Sequence, residues 1–327
     1  MTYDKSHQST LNYHASMLHD VARVDAYAQA ISRAVKPGDV VVDLGCGTGI
    51  LSMLACRAGA SRVFAIEHGP VIEVARRAAD VNGFRDRITF IQGLSTEIAV
   101  PERGDVLVTE TIGNMGLEEG ILGFVDDARL RLLKPEATVL PVELELFLSP
   151  VTSELLYQPV VAWRTPAAGL DFSPGAQFAA NNVHWVKLSE GMLRAPPQRV
   201  CGVSVAHEHK RQLSGSVVFE IQEPGDIHGL GGWFSAEIAD GITLSNGLPF
   251  GWSSWANAFF PFSQPARANA GDRLRVDLSI GANGALWTWR WALDRSLQES
   301  GRAVAGLTLQ SSFLGSYGKP GAISSPR

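Results

Sequence analysis

Two glutamates nine positions apart, Glu110 and Glu119, follow the apolar run Asp105-Val106-Leu107-Val108-Thr109. Upstream of them stands a glycine-rich turn, Asp43-Leu44-Gly45-Cys46-Gly47-Thr48-Gly49. A turn of this kind brings backbone amides close to a ligand, because glycine has no Cβ to hold the ligand away. A dinucleotide fingerprint places its third glycine one residue beyond Gly49, where this chain has Ile50. The spacing of Gly45, Gly47 and Gly49 therefore favours a nucleoside cofactor without a pyrophosphate, such as S-adenosylmethionine. Asp43 ahead of the turn suits that reading, as does Glu67 at the end of the next apolar run, where a carboxylate can accept both hydroxyls of a ribose. Thr96, in the turn after the third run, falls where an adenine edge would be read. Two carboxylates near the mouth of such a site can grip a planar guanidinium through paired N–H···O bonds. Methyl transfer to a guanidinium uses both features. Glu118 competes with Glu119 for the second carboxylate's place, and both residues also suit a helix N-terminus, where negative charge is stabilised.

The elements that must position these residues are legible in the periodicity. Residues 14–35 show helical spacing, with Met17, Val21, Val24, Tyr27, Ile31 and Ala34 on one face, and stop before Pro37-Gly38. Then Val40–Val42 reads as a strand, Ile50–Ala58 as a helix, Val63–Ile66 as a strand, Val71–Val81 as a helix and Ile88–Ile91 as a strand. This βαβαβ order predicts an α/β, Rossmann-like parallel sheet with helices on both faces. Glu110 closes a fourth strand, and an amphipathic helix starts at Glu119 and runs through Ile121, Leu122, Val125 and Ala128. After Pro141 the pattern changes to short alternating stretches, among them Val142–Phe147, Val217–Ile221 and Leu274–Leu278, which predict an antiparallel β domain. The expected division is a helical lid over 1–36, a cofactor domain over 37–141 and a β-barrel-like substrate domain over 142–327. An irregular segment around 164–197 interrupts the last, either as an excursion from the barrel or as a partner-binding arm.

At 327 residues the chain is long enough for two domains with a core each. A net charge of −5 gives no basic footprint for nucleic acid and mildly favours a cationic substrate. The cysteines, Cys46, Cys56 and Cys201, fit neither a disulfide framework nor a zinc site, which points to a reducing cytoplasm. His207 and His209 would share a strand face, but with no third ligand evident they read as surface histidines and no metal is expected. Residues 1–20 are polar, which argues against a signal peptide or a membrane span, and Gly315–Arg327 reads as a frayed tail.

The motifs resemble those of the protein arginine methyltransferases. That family carries Ser-Glu-Trp-Met-Gly-Tyr and a second glutamate nine residues after the first; here Thr109-Glu110-Thr111-Ile112-Gly113-Asn114 runs on to Glu119, and the spacing selects Glu119 over Glu118. Met17-Leu18-His19-Asp20-Val21-Ala22-Arg23 is similar to the helix that closes over the cofactor in the family. The resemblance implies that Arg23 pairs with the cofactor's methionine carboxylate and that Met17 packs beside the sulfonium. Trp252-Ser253-Ser254-Trp255-Ala256-Asn257 resembles the Thr-His-Trp-Lys-Gln loop of the family barrel, which places Ser254 and Trp255 on the substrate side. The departures are specific. Ser254 replaces the histidine of that loop, which leaves Asp20 without its usual partner and free to pair with Arg23. Thr111, Ile112 and Asn114 replace Trp, Met and Tyr, so the walls of the substrate slot differ, and Asp4-Lys5 replaces an aromatic pair of the lid.

The expected function is S-adenosylmethionine-dependent N-methylation of a guanidino group. Free arginine or a small guanidine is preferred to arginine in a protein, on the altered slot walls and the missing histidine. A non-catalytic, cofactor-binding partner of an active homologue is the alternative from another class, and an O- or C-methyltransferase on the same fold is a third. The family arm around 164–197, here offering Phe172, Phe178 and Trp185, implies a homodimer.

Overall fold

The computed structural model describes residues 5–207, 212–249, 251, 253–281, 286–294 and 304–311. Trp252, His209, Asp4 and the stretch Gly315–Arg327 lie outside the described residues. The chain opens with helices α1 (Lys5–Leu18) and α2 (Val21–Ala34). It then alternates β1 (Val40–Leu44), α3 (Ile50–Ala58), β2 (Arg62–Glu67), α4 (Ile72–Val81), β3 (Ile88–Gln92), β4 (Gly104–Thr109), α5 (Ile121–Arg131) and β5 (Leu133–Leu140). These strands form one sheet in the order β3-β2-β1-β4-β5, with every pair parallel. The strand order reverses between β1 and β4, and ligands bind at the carboxyl ends of strands beside such a switch point. The glycine turn after β1 and Glu110 after β4 therefore meet at one crevice.

Helical spacing over residues 14–35 suggests one helix, but the structure has two. Asp20 breaks the run by N-capping α2, its carboxylate accepting the Arg23 N–H at 3.2 Å. The break lets α1 turn across the cavity while α2 stays on the sheet, where Tyr27 donates its hydroxyl to the Thr109 carbonyl at 2.9 Å. The helix expected from Glu119 starts two residues later, at Ile121, behind Gly120.

Beyond Pro141 the chain is antiparallel. Strand β6 (Glu143–Val151) leads into α6 (Glu154–Val161), α7 (Gly175–Ala180) and β7 (His184–Val186). Then follow β8 (Gln198–Ser204), β9 (Gln212–Glu220), β10 (Gly225–Ala239), β11 (Ile242–Ser245), β12 (Asn257–Ala268), β13 (Arg273–Gly281), β14 (Trp287–Asp294) and β15 (Val304–Ser311). One sheet has the order β7-β12-β10-β6-β8 with β11 on β10, the other β15-β14-β13-β9. Side chains alternate across these strands, so Trp287, Trp289 and Trp291 share the buried face of β14. They pack on β12 of the facing sheet: Phe260 lies 5.2 Å from Trp289, and Phe262 stacks on Trp291 at 4.0 Å. His207 forms a hydrogen bond with Ser204 at 2.8 Å.

The excursion between β6 and β8 returns to the sheet through β7, which pairs antiparallel with the start of β12. The Leu188 N–H donates to Asn257 Oδ1 at 3.0 Å, and Lys187 Nζ donates to the Ser253 carbonyl at 2.9 Å and to that of Trp255. Trp163, Phe172, Phe178 and Trp185 on this excursion are exposed.

Candidate active site

A cavity of about 490 Å³ lies at the switch point. One end is lined by Gly45, Cys46, Gly47 and Thr48, with Glu67, and the other by Glu110, Glu119 and Trp255. Tyr13, His14, Met17 and Leu18 of α1 cross over it, and Arg23 of α2 stands within it.

The cofactor end is built by conformation. Gly45, Gly47 and Gly49 all have positive φ, which side-chain-bearing residues rarely adopt, and a Cβ on Gly45 would come within 2.8 Å of Thr111. Glu67 is 8% exposed and fixed from both sides: Oε2 accepts the Gly47 N–H at 3.1 Å and Oε1 the Gly69 N–H at 2.7 Å. Oε2 keeps a second lone pair for a ribose hydroxyl, while Oε1 also lies 3.2 Å from His68 Nδ1.

Three residues expected at the cavity stand behind or beside it. Asp43 is fully buried and turned away, accepting the Ser52 hydroxyl at 2.5 Å; burial pushes its pKa up to about 7, which the Ser52 bonds oppose. It braces the turn from behind. Gly49 packs on Ala75 at the start of α3, outside the lining. Thr96 is exposed and does not reach the cavity, whereas the preceding residue, Ser95, is buried and lines it. A one-residue offset in a turn decides which side chain faces inward, and turn composition alone does not set that register.

At the other end, Glu110 follows β4 directly. Its side chain is 6% exposed; Oε1 accepts the Ile112 N–H at 3.3 Å and Oε2 pairs with Arg23 Nη2. The Arg23 guanidinium also lies over the Trp255 ring, 5.0 Å from its centroid. Arg23 thus bonds Glu110 through its guanidinium and Asp20 only through its backbone. The carboxylate of Asp20 instead accepts both the N–H and the hydroxyl of Ser254, at 2.7 and 2.9 Å. Ser254 is therefore outside the cavity lining, holding the α1–α2 junction against the barrel loop. Where the family has a histidine–aspartate couple, this chain has a serine–aspartate one.

The second carboxylate is resolved by the loop. Glu118 points back, both its oxygens accepting the Met115 N–H at 3.0 and 3.1 Å, and a Cβ on Gly113 would overlap its carboxyl group. Glu119 lines the cavity. The residue is exposed as a whole, but partial burial of its carboxyl pushes its pKa up to about 7; the charge of Glu118 adds to that rise and the charge of Arg23 opposes it. Two carboxyl groups face one guanidinium here, so the slot has acceptor capacity beyond what Arg23 uses.

The site fits S-adenosylmethionine: Arg23 Nη1 is buried and finds no hydrogen-bond partner among the described residues, a place for a carboxylate oxygen. Tyr13, His14, Ser95 and Phe124 line the cavity without having been singled out in the sequence. His14, Met17 and Leu18 are spaced i, i+3, i+4, so a helical stripe reading of this stretch contains His14; nothing local marks Phe124 or Ser95.

A parallel sheet with a glycine turn at its switch point, a carboxylate-lined slot beside it and an antiparallel barrel-like domain behind defines an S-adenosylmethionine-dependent methyltransferase. Residues 26–140 match the family described as ribosomal protein L11 methyltransferase (PrmA), and residues 144–307 that described as the PRMT5 oligomerisation domain. The chain is 32% identical over 273 residues to the arginine N(omega)-methyltransferase of Streptomyces achromogenes subsp. streptozoticus, covering 81% of this chain and 75% of that protein. It is 35% identical to the probable protein arginine N-methyltransferase 6 of Arabidopsis thaliana, over 69% of this chain and 54% of the relative. Among solved structures, the Trypanosoma brucei PRMT1 enzyme–prozyme heterotetramer with AdoHcy superposes with a TM-score of 0.80 at 25% identity, covering 91% of this chain and 97% of the matched one. Arabidopsis thaliana protein arginine methyltransferase 10 shares the fold, with a TM-score of 0.78 at 22% identity and coverage of 93% and 99%. The chain belongs to the arginine N-methyltransferase family.

Proposed function

We propose that this chain N-methylates the guanidino group of arginine, with free arginine or a small guanidine as its acceptor. The observation that carries this is the one cavity that joins the glycine turn and Glu67 to Glu110, Glu119 and Trp255. The cofactor, when bound, supplies an electrophilic methyl group. A guanidinium is a poor nucleophile, its lone pairs delocalised and its pKa about 13.8. Glu110 and Glu119 draw its positive charge to one side and aim the remaining nitrogen, so catalysis is mainly alignment and electrostatics. Glu110 is oriented by Arg23 and by the Ile112 amide. The N–H proton lost from the alkylated nitrogen passes to Glu119, the carboxylate with the raised pKa and an open path to water.

Preference for a small acceptor rests on Thr111 and Ile112, which line the slot in place of larger family residues, and on the name of the Streptomyces relative; Asn114 lies outside the lining. The other relatives described above are named for action on proteins, and protein arginine is the competing reading. A homodimer is proposed from the exposed aromatics of the excursion, and a cytoplasmic setting from three free cysteines. The retained Glu110, Glu119 and Arg23 speak against a non-catalytic partner. Labelled S-adenosylmethionine offered with arginine and, separately, with arginine-containing peptides, followed by mass analysis of products, decides the acceptor. Label in arginine alone supports the proposal; label in peptides alone overturns the small-acceptor reading; label in neither, with S-adenosylhomocysteine still bound, favours the non-catalytic one.

A further inference from the structure

We propose that Asn246 is a positioning residue for methyl transfer, which locks the glutamate-bearing loop 110–119 to the barrel loop that carries Trp255; the inference rests on the function proposed above. Asn246 follows β11, is 6% exposed and does not line the cavity, so it touches neither acceptor nor cofactor. Its Oδ1 accepts the Phe234 N–H at 3.0 Å, and its Nδ2 donates to the Asn114 carbonyl at 2.7 Å and to the Ala256 carbonyl at 2.6 Å. The amide orientation is set by chemistry: two carbonyls can only accept and the Phe234 N–H can only donate, so the NH2 group must face the loops.

The bridge is one of several contacts that join the same two loops. Asn114 Oδ1 accepts the Ala256 N–H at 2.7 Å, and Trp255 Nε1 donates to the Ile112 carbonyl at 2.8 Å. Asn257 Nδ2 donates to the Asn246 carbonyl at 2.6 Å, which fixes the backbone from which the Asn246 amide projects. Glu110 and Glu119 bracket the first loop, and Trp255, with Arg23 over its ring, sits in the second. A fully satisfied buried amide allows one relative placement of the loops it joins, and small errors in that placement cost rate rather than cofactor affinity.

Replacing the amide by its isostere is the sharpest probe. Asn246→Asp keeps the shape and the Phe234 acceptor but turns a carboxylate toward two carbonyl oxygens. In the full chain, kcat for arginine, or for the peptide if that is the acceptor, should fall at least tenfold. S-adenosylhomocysteine affinity by titration calorimetry should stay within about threefold of wild type. Hydrogen exchange should accelerate in residues 111–117 and not in β1 or β2, a readout that needs no turnover. Asn114→Leu, which removes only the Ala256 contact, should show a smaller loss of the same form and stands in if Asn246→Asp does not fold. A folded Asn246→Asp with kcat within twofold of wild type and unchanged exchange would overturn the proposal, as would cofactor affinity falling in step with kcat. If wild type methylates no guanidine, the function assignment fails while the exchange result still judges the lock.

Discussion

Glu110 and Glu119 sit in one slot with different neighbours, and their variants should separate accordingly. Glu110 is bonded to Arg23 and the Ile112 amide, whereas Glu119 has its pKa raised to about 7 and is only partly committed to its charged form near neutrality. Glu110→Gln and Glu119→Gln should each lower kcat/KM at least a hundredfold with S-adenosylhomocysteine affinity near wild type. Glu118→Gln, which keeps one acceptor for the Met115 amide, should lose less than tenfold. A Glu118 variant as damaged as the other two would reverse the assignment. The pH dependence follows from sign: a carboxylate raised to about 7 must lose its proton before it can hold a guanidinium or accept a proton. Rate profiles should therefore climb through pH 7 and level above it, and residual Glu119→Gln activity should lack that climb.

At the scale of elements, the strand–helix alternation of the first domain is legible because it rests on local periodicity: α3 runs over Ile50–Ala58 as the pattern predicts. Asp20 shows where local reading fails. Its role as a cap is a local signal, but its hold on Ser254 spans 234 positions and no spacing rule reaches that far. Asn246 is similar, its Asn114 contact lying 132 positions away, while Thr96 and Ser95 differ only in which way a turn faces. Asp43 was visible as a residue of the turn but not as its buried brace. Its pKa, raised to about 7 from the usual 3.8, carries a stability consequence. The folded state holds that proton after the unfolded chain has released it, so stability from this group is full below about pH 4 and is lost as pH rises through 7. Asn in its place can still accept from Ser52 without ionising. Asp43→Asn should thus melt higher than wild type at pH 8, with the gap closing at pH 4; an equal gap at both would contradict the protonation argument.

Across the whole molecule, the candidate site draws on both the parallel sheet and the antiparallel part of the chain. Glutamates come from the parallel-sheet domain, Trp255 from the barrel-like one, and the α1–α2 junction is tied to both through Asp20 and Tyr27. The excursion between β6 and β8 packs on the barrel through Tyr157, Val160, Ala176 and Ala180, and it leaves Phe172 and Trp185 each 45% exposed, an apolar surface suited to a second copy. Light scattering should return a mass near twice 35.2 kDa, and Phe172→Glu combined with Trp185→Glu should return the single-chain mass. A wild type at the single-chain mass with full turnover would leave the excursion as an ordinary surface segment.

The ammonium of Lys187 ties that excursion to the main chain at Ser253 and Trp255, on either side of the serine that holds Asp20. Whatever grips the excursion from outside is then wired to the slot by a path of a few bonds. With the proposed homodimer, specific activity should accordingly fall on dilution as the two copies separate, and Lys187→Met should weaken that dependence while leaving the scattering mass unchanged. Assays across a thousandfold range of enzyme concentration, with arginine and cofactor saturating, measure it.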